Sequence, residues 1–582
     1  MALTKAHNRM IEGAAVNVKD FGAVGDGVTD DTAAIQAAID TGADAVYIPN
    51  GIFAHSGIIT ITGARLFGEG TLLSTDSSTP PSHAIVLTGT GPSIIGLTID
   101  STWSGGRQTV NNAAAILVSS ASDFLVSDCK VNKSAQSGIF ITSSSVGRAA
   151  NNLVENTLAD GIHNTDGSNN ISIVGNVINN SGDDSIAVVG YAAQSTQVST
   201  FTITGNVSNF SNARGIAAIG AANVTISGNT VFAADKGGIR AAAESFYNTY
   251  PCTNILITGN SIIDPNTSSG TIIGGISVSG YSGFLAENIT VNGNTLSYTG
   301  DRNCYGPSIN ISNIYGVNPV ICNNTIYGNA SHNNSGINLE CTDAIITGNT
   351  LKDLSRSGIL VPAAAYGTFE ILNNILINCD VAGSASDAPI YVAYSSNVDK
   401  IKIENNCVRD SSESIQVITG YDATQIRLFN NLLENQALGE RIFDGEIIGS
   451  DYIVTLSGSR EQKVQSVAIS SSDNFKVIAN GNRHSPVHFT FQGVARLGQH
   501  RVIMLEEFWI FSFTTGGGVL GTDYVALTSG GYYVRTPMTS FFSAGLGTFS
   551  MTEDGANNVT VTFNPAYDCQ FNARINPCYK AS

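Results

Sequence analysis

The pattern of apolar and polar positions repeats along most of the chain. Between about residues 145 and 435, a short apolar run around an asparagine recurs, as in ISIVGNVI, VTISGNTV and AIITGNTL. Successive repeat asparagines are 23 to 34 residues apart. This spacing predicts a coil of three short β-strands whose turns accept insertions, with the asparagine amides stacked from coil to coil. The repeat asparagines are Asn152, Asn176, Asn206, Asn229, Asn260, Asn294, Asn324, Asn349, Asn374, Asn406 and Asn431.

A second strand series lies between the asparagine units and carries one isoleucine in each repeat. These isoleucines are expected to point inward and to stack about 4.8 Å apart. Residues two before and one after each isoleucine then form outward-facing columns on one sheet. The pattern predicts an all-β solenoid. The isoleucines are Ile139, Ile162, Ile186, Ile216, Ile239, Ile276, Ile309, Ile337, Ile359, Ile390 and Ile415.

The two ends of the chain depart from the repeat. TDDTAAIQAAID (29–40) predicts a short capping helix with Thr29 or Asp30 as N-cap and Ile35 and Ile39 on one face. AVYIPNGIF is the predicted first coil, and aromatic-rich strands near the C-terminus predict a separate β-rich domain for trimerisation or glycan binding. The expected organisation is a connecting segment (1–15), a cap (16–42), the solenoid (43–440), a connector (441–485) and a C-terminal β-rich domain (486–582).

Composition narrows the functional classes. The net charge is −18 and no Lys or Arg cluster occurs, which argues against a nucleic-acid partner. No apolar run is long enough to cross a membrane, and the first residues lack the apolar core of a secretory signal. Nine scattered cysteines predict reduced thiols and folding in a cytoplasm. Neither CxxC nor HExxH occurs, so no metal site and no cofactor is expected.

The segment VNVKDFGAVGDGVTDDTAAIQAAID (16–40) resembles the N-terminal signature of the pectate-lyase-like superfamily, in the variant found in bacteriophage tailspike depolymerases. The resemblance implies a right-handed parallel β-helix that assembles as a homotrimer and attaches to the virion tail or baseplate through its N-terminus. Such a protein folds in the cytoplasm of the bacterial host and is released on lysis. The substrate class it implies is a bacterial surface polysaccharide, either capsule or O-antigen.

A second resemblance concerns chemistry. Registered on the isoleucines, Asp160 and Gly182-Asp183-Asp184 are similar to the NTD and GDD motifs of polygalacturonase-type glycoside hydrolases. Arg214 falls where that family has the His of GHG, and Arg240 begins the segment that matches RIK, with Ala242 in place of Lys. The resemblance implies that Asp183 is the general acid, that Asp160 and Asp184 activate water, and that the anomeric centre is inverted. The absent Lys argues against pectin as the substrate.

The residues themselves support carboxylate chemistry. Glycoside hydrolysis needs one carboxylic acid and one carboxylate, and stacking places Asp160, Asp183 and Asp184 within roughly 5–10 Å. Crowded like charges raise at least one pKa, which keeps an acid protonated near neutral pH. Arg214 and Arg240 are expected to hold a carboxylate ionised or to bind an acidic sugar, with His163 beside them as a third substrate-binding residue.

Other readings stay open at this point. Glu340 with Asp343 is an alternative carboxylate pair on a later coil, and Tyr247, Tyr250 and Tyr281 in long insertions are candidate sugar-stacking residues. A polysaccharide lyase on the same scaffold would use a base and a cation, roles open to His163 and the arginines. A non-catalytic adhesin would bind glycan without shortening it.

Overall fold

A computed structural model describes the backbone of most of the chain. The described residues are 14–269, 273–329, 335–380, 388–393, 395–411, 415–417, 426–429, 431–434 and the strands from 451 onward. Side chains are described up to residue 432, apart from 313–317, 416–417, 426 and 428–429. The predicted fold class is confirmed, since the chain is all-β and its strands form a parallel β-solenoid of about 13 turns, in agreement with a right-handed parallel β-helix.

The chain divides into two compact units, Met1–Val320 and Ile321–Ser582. The first unit contains helix α1 (Thr32–Ile39) and two short 3-10 helices, Val18–Phe21 and Asn111–Ala113. Its strands are β1 Val16–Asn17, β2 Asp26–Asp30, β3 Ala45–Ile48, β4 Ile52–His55, β5 Ile59–Thr62, β6 Arg65–Gly68, β7 Thr71–Ser74, β8 Ile85–Thr90, β9 Ser93–Ile95, β10 Thr98–Ser101, β11 Ile116–Ser127, β12 Lys130–Ser134, β13 Ile139–Thr142, β14 Ser145–Ala150, β15 Leu153–Thr157, β16 Ile162–Thr165, β17 Asn169–Val174, β18 Val177–Asn179, β19 Ile186–Val189, β20 Ser199–Thr204, β21 Val207–Asn209, β22 Arg214–Ile219, β23 Ala222–Ser227, β24 Thr230–Phe232, β25 Gly237–Ala242, β26 Cys252–Thr258, β27 Ser261–Ile263, β28 Ile276–Ser279, β29 Ala286–Asn292, β30 Thr295–Ser297 and β31 Ile309–Val317.

Strand β32 (Val320–Cys322) falls at the boundary between the units, and the second unit continues the strand series. Its strands are β33 Thr325–Tyr327, β34 Ile337–Thr347, β35 Thr350–Leu354, β36 Ile359–Val361, β37 Tyr366–Leu372, β38 Ile375–Cys379, β39 Ile390–Val392, β40 Val398–Glu404, β41 Cys407–Arg409, β42 Ile415–Val417, β43 Ile426–Phe429, β44 Leu432–Glu434, β45 Asp451–Ser457, β46 Gln462–Ile469, β47 Asn474–Asn480, β48 Val487–Leu497, β49 His500–Ser512, β50 Tyr524–Ala526, β51 Tyr532–Arg535, β52 Gly547–Glu553, β53 Asn558–Pro565 and β54 Cys569–Pro577.

The isoleucine series forms the stacked column that the sequence predicts. In the first unit, parallel strands place Ile139, Ile162 and Ile186 in register, and the column runs on to Ile309. In the second unit, Ile337, Ile359, Ile390 and Ile415 are likewise in register. These side chains are at most 1% exposed. Each coil therefore buries its apolar positions against the coils before and after it.

The asparagine series forms a buried amide ladder, also as predicted. Asn152 Nδ2 donates to Asn176 Oδ1 at 2.9 Å, and the same oxygen accepts the Asn152 backbone N–H at 3.0 Å. The pattern repeats through Asn206 and Asn229 to Asn260 in the first unit, and from Asn324 to Asn431 in the second. The ladder satisfies backbone groups at the bend of every coil, which a buried turn requires.

The predicted N-terminal helix is present, but its cap differs from the expectation. Helix α1 begins at Thr32, and Asp31 rather than Thr29 or Asp30 occupies the N-cap position. The Asp31 carboxylate is used elsewhere, because it accepts the backbone N–H groups of Val24 and Gly25. Ile35 and Ile39 are buried, as predicted. Gln36 Nε2 donates to the Thr60 carbonyl, and Gln36 Oε1 accepts the Thr60 N–H. These two bonds hold the helix against β5.

Strands near the C-terminus differ in kind from the coils. Strand β48 pairs antiparallel with β49 and β54, as expected for a distinct β-rich region, and the aromatic segments predicted as strands lie in β48, β49, β51 and β53. The predicted domain boundaries stay predictions. No disulfide joins the seven cysteines whose side chains are described, in agreement with reduced thiols. Within the described residues, no helix has the length and apolarity needed to cross a membrane.

Candidate active site

An open cleft of about 360 Å³ lies over the coils of β13, β16 and β19 in the first unit. Asp160 and His163 line the cleft together with Arg107 and Phe140. Tyr191 and Gln194, in the turn after β19, line its far side. The cleft therefore collects one cation, two carboxylates, an imidazole and aromatic rings. Ligand-binding clefts typically combine aromatic rings with a few polar groups in this way.

The register predicted from the isoleucines places the carboxylates correctly. The Gly161 N–H bonds the Asp184 carbonyl, and the Ser185 N–H bonds the Arg214 carbonyl, so Asp160, Asp184 and Arg214 occupy equivalent positions on consecutive coils. Each carboxylate also caps the next coil, because Asp160 Oδ1 accepts the Asp184 N–H at 2.9 Å and Asp184 Oδ1 accepts the Arg214 N–H at 2.8 Å. These two positions therefore have a structural role besides any chemical one.

The three carboxylates form a tighter cluster than stacking alone implies. One oxygen each from Asp160, Asp183 and Asp184 lies within 4.8 Å of the others. Inverting glycosidases usually separate their two carboxyls by about 6.5–9.5 Å and retaining ones by about 5–5.5 Å. The nearest carboxylate oxygens thus lie closer together than the carboxyls of a typical inverting enzyme, and inversion stays a prediction from the resemblance.

Burial decides which carboxyl holds a proton. Asp184 is 3% exposed, and this burial raises its pKa to about 7, with the charges of Asp160 and Asp183 adding to the rise. Arg214 opposes the rise, since its Nε lies 2.9 Å from Asp184 Oδ1, although the N–H is not aligned for a hydrogen bond. The expected raised pKa is confirmed, but its largest cause is desolvation rather than crowding.

Arg107 is the site residue that the sequence analysis missed. Its Nη1 lies 2.6 Å from Asp183 Oδ2, with half of the arginine side chain exposed. Burial alone lowers the pKa of Arg107, but the bond to Asp183 and the nearby acidic groups outweigh it and raise the pKa. Arg107 precedes the regular repeat, in the connection between β10 and β11, so no periodicity signals its place. The lone arginine in that polar insertion was the available clue.

His163 is held in one orientation by two neighbours. Its Nδ1 lies 2.7 Å from Asp160 Oδ2, and its ring stacks on Phe140 with centroids 4.8 Å apart. The residues one after each isoleucine do form a column, since Phe140, His163, Ala187, Ala217 and Arg240 are in register. Asp160 and His163 are nevertheless at most 8% exposed, so these columns face the cleft rather than open solvent.

Arg240 lies apart from the carboxylate cluster in its contacts. Its Nε donates to Glu244 Oε1 at 3.0 Å, and both side chains are largely buried. Ala187 and Ala217 separate Arg240 from His163 along the column. Both alanines belong to a buried apolar cluster against which Tyr191 packs, so this cluster separates the imidazole from the buried ion pair. The predicted substrate-binding role of Arg240 stays a prediction.

The carboxylate cluster is also the set of groups that best suits a divalent cation. Oxygen ligands of this kind suit Ca²⁺ or Mg²⁺. Arg107 and Arg214 already place cationic nitrogens 2.6 Å from Asp183 and 2.9 Å from Asp184. A metal ion would have to share these oxygens with two guanidinium groups, so the local charges fit proton transfer better than metal binding.

The weaker candidates have mixed outcomes. Asp343 Oδ1 accepts the Thr368 N–H at 2.6 Å, a contact between neighbouring coils of the second unit, and its pairing with Glu340 stays a prediction. The Tyr250 hydroxyl donates to the Gln194 carbonyl at 2.6 Å, so this hydroxyl is already bonded within the protein. Tyr247 is 56% exposed and Tyr281 44%, so both remain accessible.

Comparison with known families bears on this same region. Residues 15–240 match the family model described as Rhamnogalacturonase A/epimerase, pectate lyase-like. The matched range contains the three carboxylates, Arg107, His163 and Arg214. The match covers less than half of the chain. The superfamily expected from the N-terminal segment is thereby supported, whereas a phage tailspike origin stays a prediction.

The relatives found by sequence match this chain over short stretches, whereas similar solved structures cover more of it. Mannuronan C5-epimerase AlgE5 of Azotobacter vinelandii is 64% identical over 45 residues, which is 7% of this chain and 4% of that protein. Alginate lyase 7 of the same organism is 62% identical over 45 residues, 7% of this chain and 5% of the relative. The catalytic unit of a GH87 α-1,3-glucanase from Streptomyces thermodiastaticus has a TM-score of 0.45 at 17% identity, covering 62% of this chain and 68% of that structure.

Proposed function

We propose that the protein cleaves a polysaccharide by glycoside hydrolysis at the cluster of Asp160, Asp183 and Asp184. The observation that carries the proposal is the cluster itself, with oxygens within 4.8 Å beside an open cleft and a pKa of Asp184 raised to about 7. A proton retained near neutral pH within a group of neighbouring carboxyls is what acid–base cleavage of a glycosidic bond needs.

The solvent exposure of the three carboxylates supports different catalytic roles for them. Asp183 is the most accessible, with 31% of its side chain exposed against 9% for Asp160 and 4% for Asp184. Asp183 is therefore best placed to protonate the leaving oxygen, in agreement with the role implied by the resemblance. Asp160, which lines the cleft, then activates water with Asp184 behind it. Because one oxygen of each carboxyl lies within 4.8 Å of the others, the proton that Asp184 retains can pass to Asp183 before it reaches the sugar.

Polymer size is the direct test of the proposal. Purified polymannuronate, hyaluronan, capsular polysaccharides and O-antigens, with neutral dextran for comparison, are incubated with the protein and separated by size exclusion. The proposal expects at least one polymer to shorten while new reducing ends appear. A polymer that binds the protein but keeps its length would instead support a non-catalytic adhesin.

A lyase is the second candidate, and His163 is the observation that favours it. Its Nδ1 contact with Asp160 leaves Nε2 as the atom that faces outward from the dyad, a geometry suited to abstracting a proton beside a sugar carboxylate. Sequence relatives named as an epimerase and a lyase, though matched over only 45 residues, agree with a uronate substrate. Lyase products absorb near 235 nm, whereas hydrolysis products do not.

The pH profile separates the two mechanisms. Hydrolysis needs the proton that burial keeps on the cluster, so kcat/KM should fall by about tenfold per pH unit above about pH 7, where Asp184 ionises. A lyase needs an unprotonated base, so its kcat/KM would not fall through the same range. The measurement is kcat/KM against pH for the wild type and for Asp184→Asn protein. In this variant the decline of kcat/KM should no longer begin near pH 7. A rate that increases steadily above pH 7 would contradict hydrolysis.

Arg107 supports an acidic substrate. It is the half-exposed cation that lines the cleft, and a sugar carboxylate bound there would meet its guanidinium. Replacing Arg107 by Gln should weaken cleavage of an acidic polymer by about 10- to 100-fold in kcat/KM, mainly through KM, as loss of a charged hydrogen bond implies. Arg148→Gln is the matched control, because Arg148 is exposed on strand β14 away from the cleft lining. Equal KM values for both variants would contradict this role.

The biological setting is a proposal that rests on the resemblance of residues 16–40. We infer a tailspike depolymerase of a phage virion, homotrimeric, acting on capsule or O-antigen of its bacterial host. The cleft and its carboxylates are compatible with that setting and equally compatible with other polysaccharide-cleaving enzymes.

A further inference from the structure

The loop after β25 exposes two aromatic side chains that pack against each other. Phe246 is 88% exposed and Tyr247 56%, and their ring centroids lie 4.9 Å apart with the rings at 90°. Among large hydrophobic residues in the described part of the chain, Phe246 is the most exposed. Apolar surface left in water costs free energy, and adjoining exposed aromatic residues mark a binding surface more often than single ones do.

Backbone and side-chain bonds fix this loop to the rim of the cleft. The Ala192 N–H donates to the Asn248 carbonyl at 2.7 Å, and Thr249 forms a β-bridge with Tyr191. The Tyr250 hydroxyl donates to the Gln194 carbonyl at 2.6 Å. Tyr191 and Gln194 themselves line the cleft. The loop segment that follows the two exposed rings is therefore fixed to the rim of the cleft.

The rings extend the cleft along the axis of the coils. The cleft residues come from the coils of β13, β16 and β19, and the aromatic loop belongs to the coil of β25, two coils further along. The loop folds back across these two coils, because Asn248 and Tyr250 bond the turn after β19, and this brings it to the far rim of the cleft. A chain molecule that occupies the cleft and follows the axis would next meet Phe246 and Tyr247.

We propose that Phe246 and Tyr247 form a saccharide-binding platform that stacks a pyranose ring of the polymer a few sugar units from the cleavage point. One face of a pyranose carries C–H bonds, and the electron-rich face of an aromatic ring attracts such hydrogens. The perpendicular rings offer a face and an adjacent edge, with the tyrosine hydroxyl as a polar handle. This proposal rests on the proposed function only in taking a polysaccharide as the occupant of the cleft.

Binding measurements on a cleavage-deficient background test the platform. Phe246→Ala/Tyr247→Ala is introduced into Asp183→Asn protein, and affinities are measured by calorimetry for long polymannuronate, long hyaluronan and their trisaccharides. We expect at least one long polymer to bind about tenfold more weakly to the double alanine variant, with trisaccharide affinity and melting temperature unchanged. Tyr327→Ala, a similarly exposed tyrosine in the second unit, is the matched control and should bind as its parent does.

The outcomes separate the platform from the chemistry. Equal affinity of parent and double alanine variant for both long polymers overturns the platform, as does an equal loss in Tyr327→Ala or the absence of any binding by the parent. Weaker binding by the double alanine variant, together with no shortening of either polymer by wild-type protein, supports the platform and contradicts the proposed hydrolysis.

Discussion

Asp183→Asn should lower the rate of polysaccharide cleavage by about 10²- to 10⁴-fold, the usual contribution of a general acid. The amide keeps the size of the side chain and an oxygen to accept from Arg107, but it has no carboxyl proton to donate. The melting temperature should barely change, because a partly exposed ion pair contributes at most about 1 kcal/mol. The measurements are the initial rate of reducing-end formation and thermal unfolding on the same preparations.

Two controls show whether this loss belongs to the cluster. Asp166 lines the cleft without belonging to the cluster, so Asp166→Asn should retain most of the activity. Glu340→Gln tests the later coil, where the alternative carboxylate pair lies. If Asp183→Asn protein stayed active while Glu340→Gln protein were inactive, the catalytic site would lie in the second unit. That result would contradict the assignment.

Asn229→Ala should lower the free energy of unfolding by about 3–5 kcal/mol, because it interrupts the amide ladder. Asn229 Oδ1 accepts both the backbone N–H and the side-chain amide of Asn206 at 2.9 Å, and its own amide donates to Ile203 and Asn260. Asn229 is 1% exposed, so no water replaces these bonds. Chemical denaturation followed by circular dichroism measures the change.

Asn212→Ala is the matched control for the ladder. Asn212 is exposed, and its backbone N–H rather than its side chain bonds Ser181. Its removal should change the stability by no more than about 0.5 kcal/mol. If Asn229→Ala proved as mild as Asn212→Ala, the ladder would contribute little to stability and the coil stacking would depend on the isoleucines alone.

The features that recur in every coil were predictable from the sequence. One isoleucine and one asparagine per repeat fixed the inward column and the ladder, since a slip by one residue would turn every apolar side chain outward. The same register predicted that Asp160 and Asp184 occupy equivalent positions on neighbouring coils. The position of a residue within its coil can therefore be predicted from the sequence wherever the repeat is regular.

Contacts made by insertions were not predictable in the same way. Arg107 reaches Asp183 from 76 residues away in the chain, out of a connection that follows no repeat. The burial of Asp184, and with it the main cause of its raised pKa, depends on what packs over the column rather than on the column. Phe246 was overlooked for the same reason, because only the structure shows its loop bonded to the rim of the cleft. The N-cap of α1 differed because the loop before it uses the Asp31 carboxylate.

The most direct test of the central claim is cleavage in water enriched in ¹⁸O, followed by mass spectrometry of the products at short reaction times. Hydrolysis at the Asp160, Asp183 and Asp184 cluster predicts that one ¹⁸O enters each newly formed reducing end, and that Asp183→Asn protein yields almost none of this product. Products that carry no ¹⁸O and absorb near 235 nm would show elimination instead, and would contradict the account.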